Sequence, residues 1–567
     1  MLASSFDPSA LLAFAGIAIG VGLAFNYAYD VIEYHRAQGN ETENCLPPKY
    51  PTLIPYLGNI VPFLWNTPSF LQRTTSYGGQ LGSSRINVGP HWDVYLFQDR
   101  ETVMQLWKNS TIMCAGRVHV WACKYLFGMP DKFLSLYAAD NSGPFAKPYP
   151  GSNVPPHLRV HRLMNEGIEK ALTGSGFDPT LQRFRKAFVL QFPATLNTTR
   201  VSEGSEWIEI PDFRKFIHNT VGTSLVQAVF GPSLLHVNPT FMDDLYEFDQ
   251  VLPLLSKGLP SFIMPQPYAI RRRLRDNFKR WYAYARKHFT ESAISEDGDG
   301  DPFWGSNWMR QRQKTLDLIQ DDDVLAAGDL GVAWASIANV VSASTMVLVH
   351  VAKTQNLPNR VRNEVTSAFG NQPLEDINLR QLSKNPLLSS IYAETLRLHV
   401  KSFTVVSSPV QDINLGKFRL PKNSMGLVNA HVSHMDESFW NTKDGLHPLN
   451  SFWAERFLTD PNDPSSGPTR FTRQDNAIRD DAAGNPNAPY YSMKGLEGSW
   501  IPYGGGHLIC PGRFLAKNVM ILACALLTSE FEMEVLTKEI LFSSKWFGFG
   551  AEIPKHAIAV RIRRRVQ

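Results

Sequence analysis

The sequence predicts a mainly α-helical protein with small β-sheets, preceded by an N-terminal transmembrane helix. Three observations support this fold class. The stretch from Ala10 to Phe25 contains no charged residue. The region from Asp212 to Ile294 carries apolar residues at helical spacing, and the run from Ala326 to Val351 is almost uncharged. Because a helix that is apolar on every side has to be buried, the last run predicts the central helix of a large domain.

The N-terminal apolar stretch has the length of a membrane span. Tyr27 to Tyr29 extend it to about the 20 residues that a bilayer-crossing helix requires. A cleavable signal peptide is the alternative, but no basic residue precedes the stretch, and the first basic groups after it are His35 and Arg36. We therefore expect a single-pass anchor in the endoplasmic reticulum membrane, with the catalytic domain facing the cytosol.

The rest of the chain is expected to form one domain. The predicted boundaries are an anchor at residues 1–30, a proline-rich hinge at 31–60 and a catalytic domain at 61–567. Pro47, Pro48 and Pro51 stiffen the hinge because proline fixes its own backbone and restrains the residue before it. The domain shows no internal repeat, and its 43% hydrophobic residues suffice for a core that encloses a cofactor.

Charge and cysteine content exclude two classes of protein. A formal net charge of +4 over 567 residues implies no general field for nucleic acid. The five cysteines lie at scattered spacings and form neither a disulfide framework nor a CxxC metal pair. They indicate reduced thiols in a domain that faces the cytosol.

The long apolar helix carries the first candidate functional residue. Asp321, Asp322 and Asp323 precede it, where carboxylates complement the positive end of the helix dipole. Asn339 lies in its middle. Because a buried amide is costly without a hydrogen bond, Asn339 either caps a local backbone defect or faces a ligand.

A glycine-rich turn near the C-terminus delivers one cysteine to the start of an apolar helix. From Tyr503 to Arg513 the chain reads Tyr-Gly-Gly-Gly-His-Leu-Ile-Cys-Pro-Gly-Arg. Glycines let the backbone approach a large flat ligand, and amides near Cys510 together with the helix dipole favour a thiolate, the form that binds metal. A lone cysteine beside a helix more often packs as a small core residue. The whole loop favours an iron site.

This loop resembles the haem-binding loop of the cytochrome P-450 superfamily. The positions that carry the resemblance are Tyr503, Gly504, Gly506, Cys510 and Gly512. The resemblance implies the cytochrome P-450 fold and a haem b held by these residues and Arg513, with Cys510 as the axial iron ligand. It also implies dioxygen as cosubstrate and NADPH as an indirect electron donor through a reductase.

The long apolar helix narrows the resemblance to one branch. The segment from Trp334 to Asn339 is similar to the distal-helix motif of sterol 7α-hydroxylases and prostacyclin synthase. Most superfamily members place an acid and then a threonine over the iron, and here Ala338 and Asn339 take those two positions. An amide beside an alanine cannot supply acid protons itself. The resemblance therefore leaves both hydroxylation and rearrangement of an oxygenated substrate open.

Three further charged residues fit the same family. Glu394 and Arg397 are an i,i+3 pair on one helix face, which by spacing alone predicts only a weak surface ion pair. The segment Phe452 to Phe457 resembles the family stretch whose arginine, here Arg456, completes a buried triad with that pair. The triad is expected to hold the cysteine loop and to take no part in the chemistry.

The functional prediction is monooxygenation of a bulky apolar small molecule such as a sterol or terpenoid, in fungal secondary metabolism. The chain has no GxGxxG dinucleotide site, so electrons are expected from an NADPH-cytochrome reductase. Membrane lipid, through the N-terminal helix, is the other expected partner, and nucleic acid is not one. The alternatives are a reductase-independent isomerase or dehydratase, and a haem-binding protein without catalytic activity.

Overall fold

The computed structural model describes residues 8–39, 42–55, 57–77, 82–89, 92–198, 206–315, 321–370, 372–373, 376–470 and 487–565. The first half of the chain forms helices α1 (Pro8–Gln38), α2 (Ile60–Trp65), α3 (Thr67–Ser76), α4 (Arg100–Lys108), α5 (Gly116–Tyr125), α6 (Asp131–Ala139), α7 (Val160–Leu172), α8 (Phe177–Thr198), α9 (Phe213–Ile217), α10 (Thr223–Phe230), α11 (Pro232–Val237), α12 (Phe241–Leu255) and α13 (Pro265–His288). The second half forms α14 (Asn307–Thr315), α15 (Asp322–Lys353), α16 (Leu357–Phe369), α17 (Leu379–Leu382), α18 (Pro386–His399), α19 (Ala430–His434) and α20 (Arg513–Glu530).

The strands are short and lie at the edges of the helical body. They are β1 (Ser84–Asn87), β2 (Asp93–Leu96), β3 (Ile208–Ile210), β4 (Phe403–Val406), β5 (Ile413–Leu415), β6 (Phe418–Leu420), β7 (Met425–Asn429), β8 (Leu458–Thr459), β9 (Tyr490–Tyr491), β10 (Phe531–Val535) and β11 (Val560–Arg564). One sheet has the order β1-β2-β7-β4 and another the order β10-β11-β3, and β5-β6 and β8-β9 form separate pairs. The predicted fold class, mainly helical with small sheets, is confirmed.

Helix α15 is the centre of the fold. It packs against α20, α18 and α13. The side chain of Asp321 caps its N-terminus by accepting a hydrogen bond from the Asp323 amide at 2.8 Å. Most of its side chains are buried, as its composition predicts. Because it crosses the whole domain, it can carry functional groups to the middle of the protein.

The predicted amphipathic helices surround α15 on one side. Their expected core residues are all buried, and these are Phe216, Val221, Leu225, Val229, Phe241, Leu245, Phe248 and Leu252. One feature was not predicted. A π-helical turn at His218–Gly222 joins α9 to α10 and shifts the side chains that follow it around the helix axis.

The N-terminal helix is long and apolar enough to cross a membrane. The 18 most apolar residues within Leu12–Gln38 have a mean hydropathy of 1.6, and none of them is buried. α15 is similarly apolar, with a mean hydropathy of 1.7 over its most apolar 18 residues. Of these residues 67% are buried, so α15 is a core helix. The first helix continues to Gln38, beyond the expected anchor boundary at residue 30. It does so because its last turns contact the domain.

Those contacts attach α1 to the proline-rich segment. The Asp30 carboxylate accepts hydrogen bonds from the Thr52 amide at 2.9 Å and from its hydroxyl at 2.8 Å. Tyr34 is 3% exposed and donates a hydrogen bond to the Tyr77 carbonyl at 2.9 Å. Tyr50 donates its amide to the Arg85 carbonyl at 2.8 Å, so the segment lies along the edge of β1.

Two glycines in close backbone contact provide a test of this packing. A Cβ at Gly305, where φ is +81°, would lie 2.1 Å from the Gly231 nitrogen. Gly370 has a similar φ of +62° but open space around it. We expect Gly370→Ala to lower the free energy of unfolding by about 1–2 kcal/mol through backbone strain alone. Gly305→Ala should lower the free energy of unfolding by more than about 4 kcal/mol, because the backbone must also move to accommodate the added Cβ.

Chemical denaturation of the two variants, followed by tryptophan fluorescence, measures the difference. Equal losses for the two variants would contradict the close contact between Gly231 and Gly305.

Candidate active site

The cysteine loop lies between Ile501 and the N-terminus of α20. The amide of Cys510 donates a hydrogen bond to the Tyr503 carbonyl at 3.0 Å, which closes the loop. Gly504 and Gly506 have φ angles of +72° and +59°, in the left-handed region that favours glycine. Cys510 lies two residues before Gly512, the residue that precedes the first turn of α20.

The loop packs closely on the end of α4. A Cβ at Gly506 would lie 2.3 Å from the Ser110 hydroxyl oxygen, and one at Gly505 would lie 2.5 Å from Trp107 Nε1. The Ser110 hydroxyl accepts a hydrogen bond from the His507 amide at 2.9 Å and donates one to the Trp107 carbonyl at 2.6 Å. The glycines are therefore needed for close approach as well as for conformation.

The Cys510 thiol faces a recess. Its side chain has accessible surface, yet burial raises the pKa of the thiol, while amide hydrogen bonds from Gly512 and Arg513 and the charge of Arg513 oppose the rise. Arg513 also donates from Nη1 to the Cys510 carbonyl at 3.0 Å. The amides that the sequence analysis expects to favour a thiolate therefore act against the effect of burial. A bound metal cation reverses the balance because coordination displaces the thiol proton.

Helix α15 has an accessible face near its middle. Ala335 and Asn339 are exposed although most residues around them in α15 are buried. A soft thiol ligand, two backbone N–H groups at the sulfur and an uncharged accessible helix face fit a haem held through Cys510.

Asn339 is bound on one side by backbone. Its Oδ1 accepts a hydrogen bond from the Ala551 amide at 2.9 Å. A Cβ at Gly550 would lie 2.0 Å from this oxygen, so the turn comes close only because residue 550 is glycine. Asn339 thus caps a turn from a distant segment while its side chain remains accessible. Its role toward a ligand stays a prediction.

Ala338 faces the other way. It is buried and lines a small cavity on the side of α9 and α12, together with Arg214 and Asp249. The two residues that replace the family's acid and threonine therefore lie on different sides of α15.

The structure brings the three predicted triad residues together. Glu394, Arg397 and Arg456 all have fully buried side chains. Arg397 donates to the Glu394 carboxylate at 2.7 and 2.9 Å, and Arg456 Nε donates to the same carboxylate at 3.0 Å. Carbonyl groups complete the pairing: those of His434 and Leu449 accept from Arg397 at 2.9 and 2.8 Å. Each buried charge is thus compensated.

Sequence reasoning missed the partner of Tyr503. Its hydroxyl accepts a hydrogen bond from the Tyr392 hydroxyl at 2.9 Å. Burial raises the pKa of both phenols. The pair joins α18 directly to the cysteine loop. The signal available in the sequence was Tyr392, which lies in the same helix as Glu394.

Two other features are not part of the site. His434 Nε2 accepts a hydrogen bond from the Ile501 amide at 3.1 Å, and within the described ranges no group of three His, Cys, Asp or Glu could hold a metal ion. A cavity of about 620 Å³ lies between α6, α7 and α14, lined by residues such as Leu136, Met164 and Trp308. Although it is larger than the cavity at Ala338, it contains neither Cys510 nor Asn339, and the site assignment follows the thiol.

Fold and site together define a haem-thiolate enzyme, and comparison with known proteins agrees. The family model described as Cytochrome P450 matches residues 307–560. The chain is 31% identical over 92% of its length to the cytochrome P450 monooxygenase fsoE of Humicola fuscoatra, covering 88% of that protein. It is 30% identical over 91% of its length to the cytochrome P450 monooxygenase efuG of Hormonema carpetanum, covering 90% of it.

A rabbit relative covers less of the chain. Cytochrome P450 7A1 of Oryctolagus cuniculus is 24% identical over 53% of this chain and 54% of its own.

The chain belongs to the cytochrome P450 family. It is a monooxygenase that uses haem, dioxygen and electrons from a redox partner, as the sequence analysis predicted.

The triad gives a stability test. Glu394→Gln removes the carboxylate charge that pairs with two buried guanidinium groups, and we expect it to lower the free energy of unfolding by about 3–5 kcal/mol. Glu455→Gln is the control, because the Glu455 side chain is 33% exposed and its ion-pair partner within the described residues is Arg360. Its loss should stay below about 1 kcal/mol.

Denaturant titration and the fraction of protein that retains haem are the measurements. If Glu394→Gln behaves like the control, the triad does not hold the cysteine loop.

Proposed function

We propose that this protein hydroxylates a bulky apolar compound, such as a sterol or terpenoid, with electrons from an NADPH-cytochrome reductase. One observation carries the proposal. Cys510 is accessible and lies just before α20, and the accessible, uncharged residues Ala335 and Asn339 lie on α15, which packs against α20. Such a surface suits an apolar substrate because it offers no charge that the substrate would leave unpaired.

Cys510, Gly504, Gly506, Gly512 and Arg513 would hold the cofactor. When bound, the haem supplies the redox chemistry that activates dioxygen and oxidises an unactivated C–H bond. The Cys510 thiolate would ligate the iron, and the amides of Gly512 and Arg513 would stabilise the negative charge on its sulfur. The glycines let the loop pack closely against the end of α4, and Tyr503 connects the loop to α18 through its hydrogen bond with Tyr392.

Asn339 would order water and substrate at the accessible face of α15. Its Oδ1 is engaged by the Ala551 amide, so its NH2 group is the part left to donate. A donor that cannot ionise orients water without supplying an acidic proton. Ala338 provides no polar group, so the proton has to come from another element.

The arrangement in the cell follows from α1. We propose that residues 1–30 form the anchor, 31–60 the hinge and 61–567 the catalytic domain. The anchor lies in the endoplasmic reticulum membrane, and the domain faces the cytosol, where the reductase docks on the cysteine side. The exposed apolar surface of Leu12–Gln38 supports this proposal.

The substrate class is proposed from relatives as well as from the site. Two fungal monooxygenases match nearly the whole chain. A Cricetulus griseus relative, 24% identical over 53% of this chain, is named cholesterol 7-alpha-monooxygenase. A rigid polycyclic compound of fungal secondary metabolism fits both.

The iron ligand is tested by absorption spectroscopy. The reduced carbonyl complex of the wild-type protein should absorb at about 450 nm because a thiolate is the axial ligand. Cys510→Ala should lose this band. Cys524→Ala is the matched control, since Cys524 is 1% exposed in the core of α20 and should leave the band unchanged. A band that persists in Cys510→Ala would assign the ligand elsewhere.

The reaction type is tested by reconstitution. With the reductase, NADPH, dioxygen and a panel of sterols and terpenoids, we expect product formation that stops when the reductase or oxygen is withheld. Product without reductase or oxygen would instead show an isomerase or dehydratase. An intact haem spectrum without turnover in either regime would favour a non-catalytic haem protein.

A further inference from the structure

The cavity between α6, α7 and α14 lies apart from the cysteine loop. Its volume of about 620 Å³ is within the range of roughly 300–1,000 Å³ that is typical of small-molecule sites. Helix α7 forms one wall with Val160, Leu163, Met164 and Gly167. This spacing places the four residues on one face of the helix, so the cavity offers a continuous apolar wall.

Helix α14 forms the facing wall. Trp308 and Arg312 are four residues apart and are therefore neighbours on one helix face. They are 8% and 7% exposed. A Cβ at Gly167 would lie 2.9 Å from Trp308 Nε1, so the indole packs directly on α7 because residue 167 is glycine. The two walls meet at this contact.

The α14 wall contains two donors without partners. Trp308 Nε1 and Arg312 Nη2 are both buried, and neither has a hydrogen-bond partner in the part of the chain that the structure describes. Buried donors of this kind are costly when they remain unpaired, and most are satisfied in folded proteins. A ligand with an acceptor oxygen, bound against α14, would supply the missing partner.

The charges around the cavity are already balanced. Arg312 Nε donates to Asp329 Oδ1 at 2.6 Å, and the Tyr282 hydroxyl donates to Asp329 Oδ2 at 2.6 Å. Asp140 also lines the cavity, and its carboxylate accepts a hydrogen bond from the Ser142 hydroxyl at 2.6 Å. No unpaired cation therefore awaits an anion, and Asp140 would repel one. A neutral acceptor, such as a ketone or hydroxyl oxygen, fits these surroundings.

Helix α7 separates the cavity from the cysteine loop. Leu172, its last residue, has its Cδ1 atom 3.9 Å from the position of a Cβ at Gly512. Gly167 is five residues earlier, which is about 8 Å along the helix axis. A molecule in the cavity would therefore contact the helix that borders the cysteine loop without occupying the loop itself.

We propose that this cavity is a second ligand site, which binds a neutral and mainly apolar small molecule that carries a ketone or hydroxyl oxygen. The apolar body packs against Leu163 and Met164 of α7. The oxygen accepts a hydrogen bond from Trp308 Nε1 or Arg312 Nη2 of α14. Binding is noncovalent and needs neither reductase nor dioxygen, so the inference does not rest on the proposed function.

The number of bound molecules tests the site. The full-length haem-loaded protein in lipid nanodiscs is dialysed against progesterone, a neutral polycyclic ketone, and binding to empty nanodiscs is subtracted. We expect the wild-type protein to bind one more equivalent per haem than Met164→Trp, whose larger side chain fills the cavity. The response of the haem absorption band to progesterone should be the same in both proteins, because Met164 lies away from Cys510.

Two further variants support the count. Leu158 lines the cavity and is 41% exposed, so Leu158→Trp narrows the cavity at a position that tolerates a larger side chain. It should also lose the additional equivalent. Leu446→Trp is the matched control, because Leu446 is 71% exposed and is not part of the cavity wall. This control should bind as many molecules as the wild-type protein.

The chemical class of the ligand is tested at Trp308. Trp308→Phe keeps an aromatic ring but removes the N–H group, and we expect progesterone to bind to the cavity about fivefold more weakly or worse. In the wild-type protein, adamantane-1-carboxylate should bind to the cavity at least about tenfold more weakly than 2-adamantanone, because its charge would have no partner there.

Each outcome bears on a different part of the inference. Equal numbers of bound progesterone in the wild-type protein, Met164→Trp and Leu158→Trp would overturn the second site. Unchanged affinity in Trp308→Phe, or a carboxylate that binds as tightly as the ketone, would overturn the proposed ligand class. Absence of turnover with the reductase would overturn the proposed function and would leave these binding counts as they are.

Discussion

The buried triad of Glu394, Arg397 and Arg456 is the interaction on which the active site depends. It joins α18 to the segment before β8, and the two arginines also bind carbonyl groups of the chain between them. The same helix reaches the cysteine loop through Tyr392, and the Trp500 indole donates to the Ala393 carbonyl at 3.2 Å. The cysteine loop is therefore connected through α18 to a buried cluster of charges.

Helix α15 separates two environments. On one side Ala335 and Asn339 are accessible, and on the other Ala338 borders the Arg214–Asp249 pair. Adjacent residues on a helix point about 100° apart. One dipeptide can therefore place an orienting amide toward the substrate and a small methyl toward a buried ion pair.

The sequence predicts what is local or carried by a motif. The cap at Asp321, the apolar α15, the helix of Glu394 and the cysteine loop are all readable because their signals lie within a few residues. Contacts between distant segments are not readable. Ala551 bonds Asn339 across 212 residues, Trp334 bonds Asp249 across 85, and Tyr392 meets Tyr503 across 111. The last turns of α1 contact Thr52 and Tyr77, and the apolar pattern of the helix does not predict these contacts.

The attachment of α1 affects more than the end of the helix. Asp30 and Tyr34 bond it to Thr52 and Tyr77, so the C-terminal part of the helix is attached to the domain. If this helix crosses a bilayer, the tilt of the helix would set the orientation of the catalytic domain relative to the membrane. Lipid thickness, which changes helix tilt, thereby becomes a variable that sets which face of the enzyme meets the membrane surface.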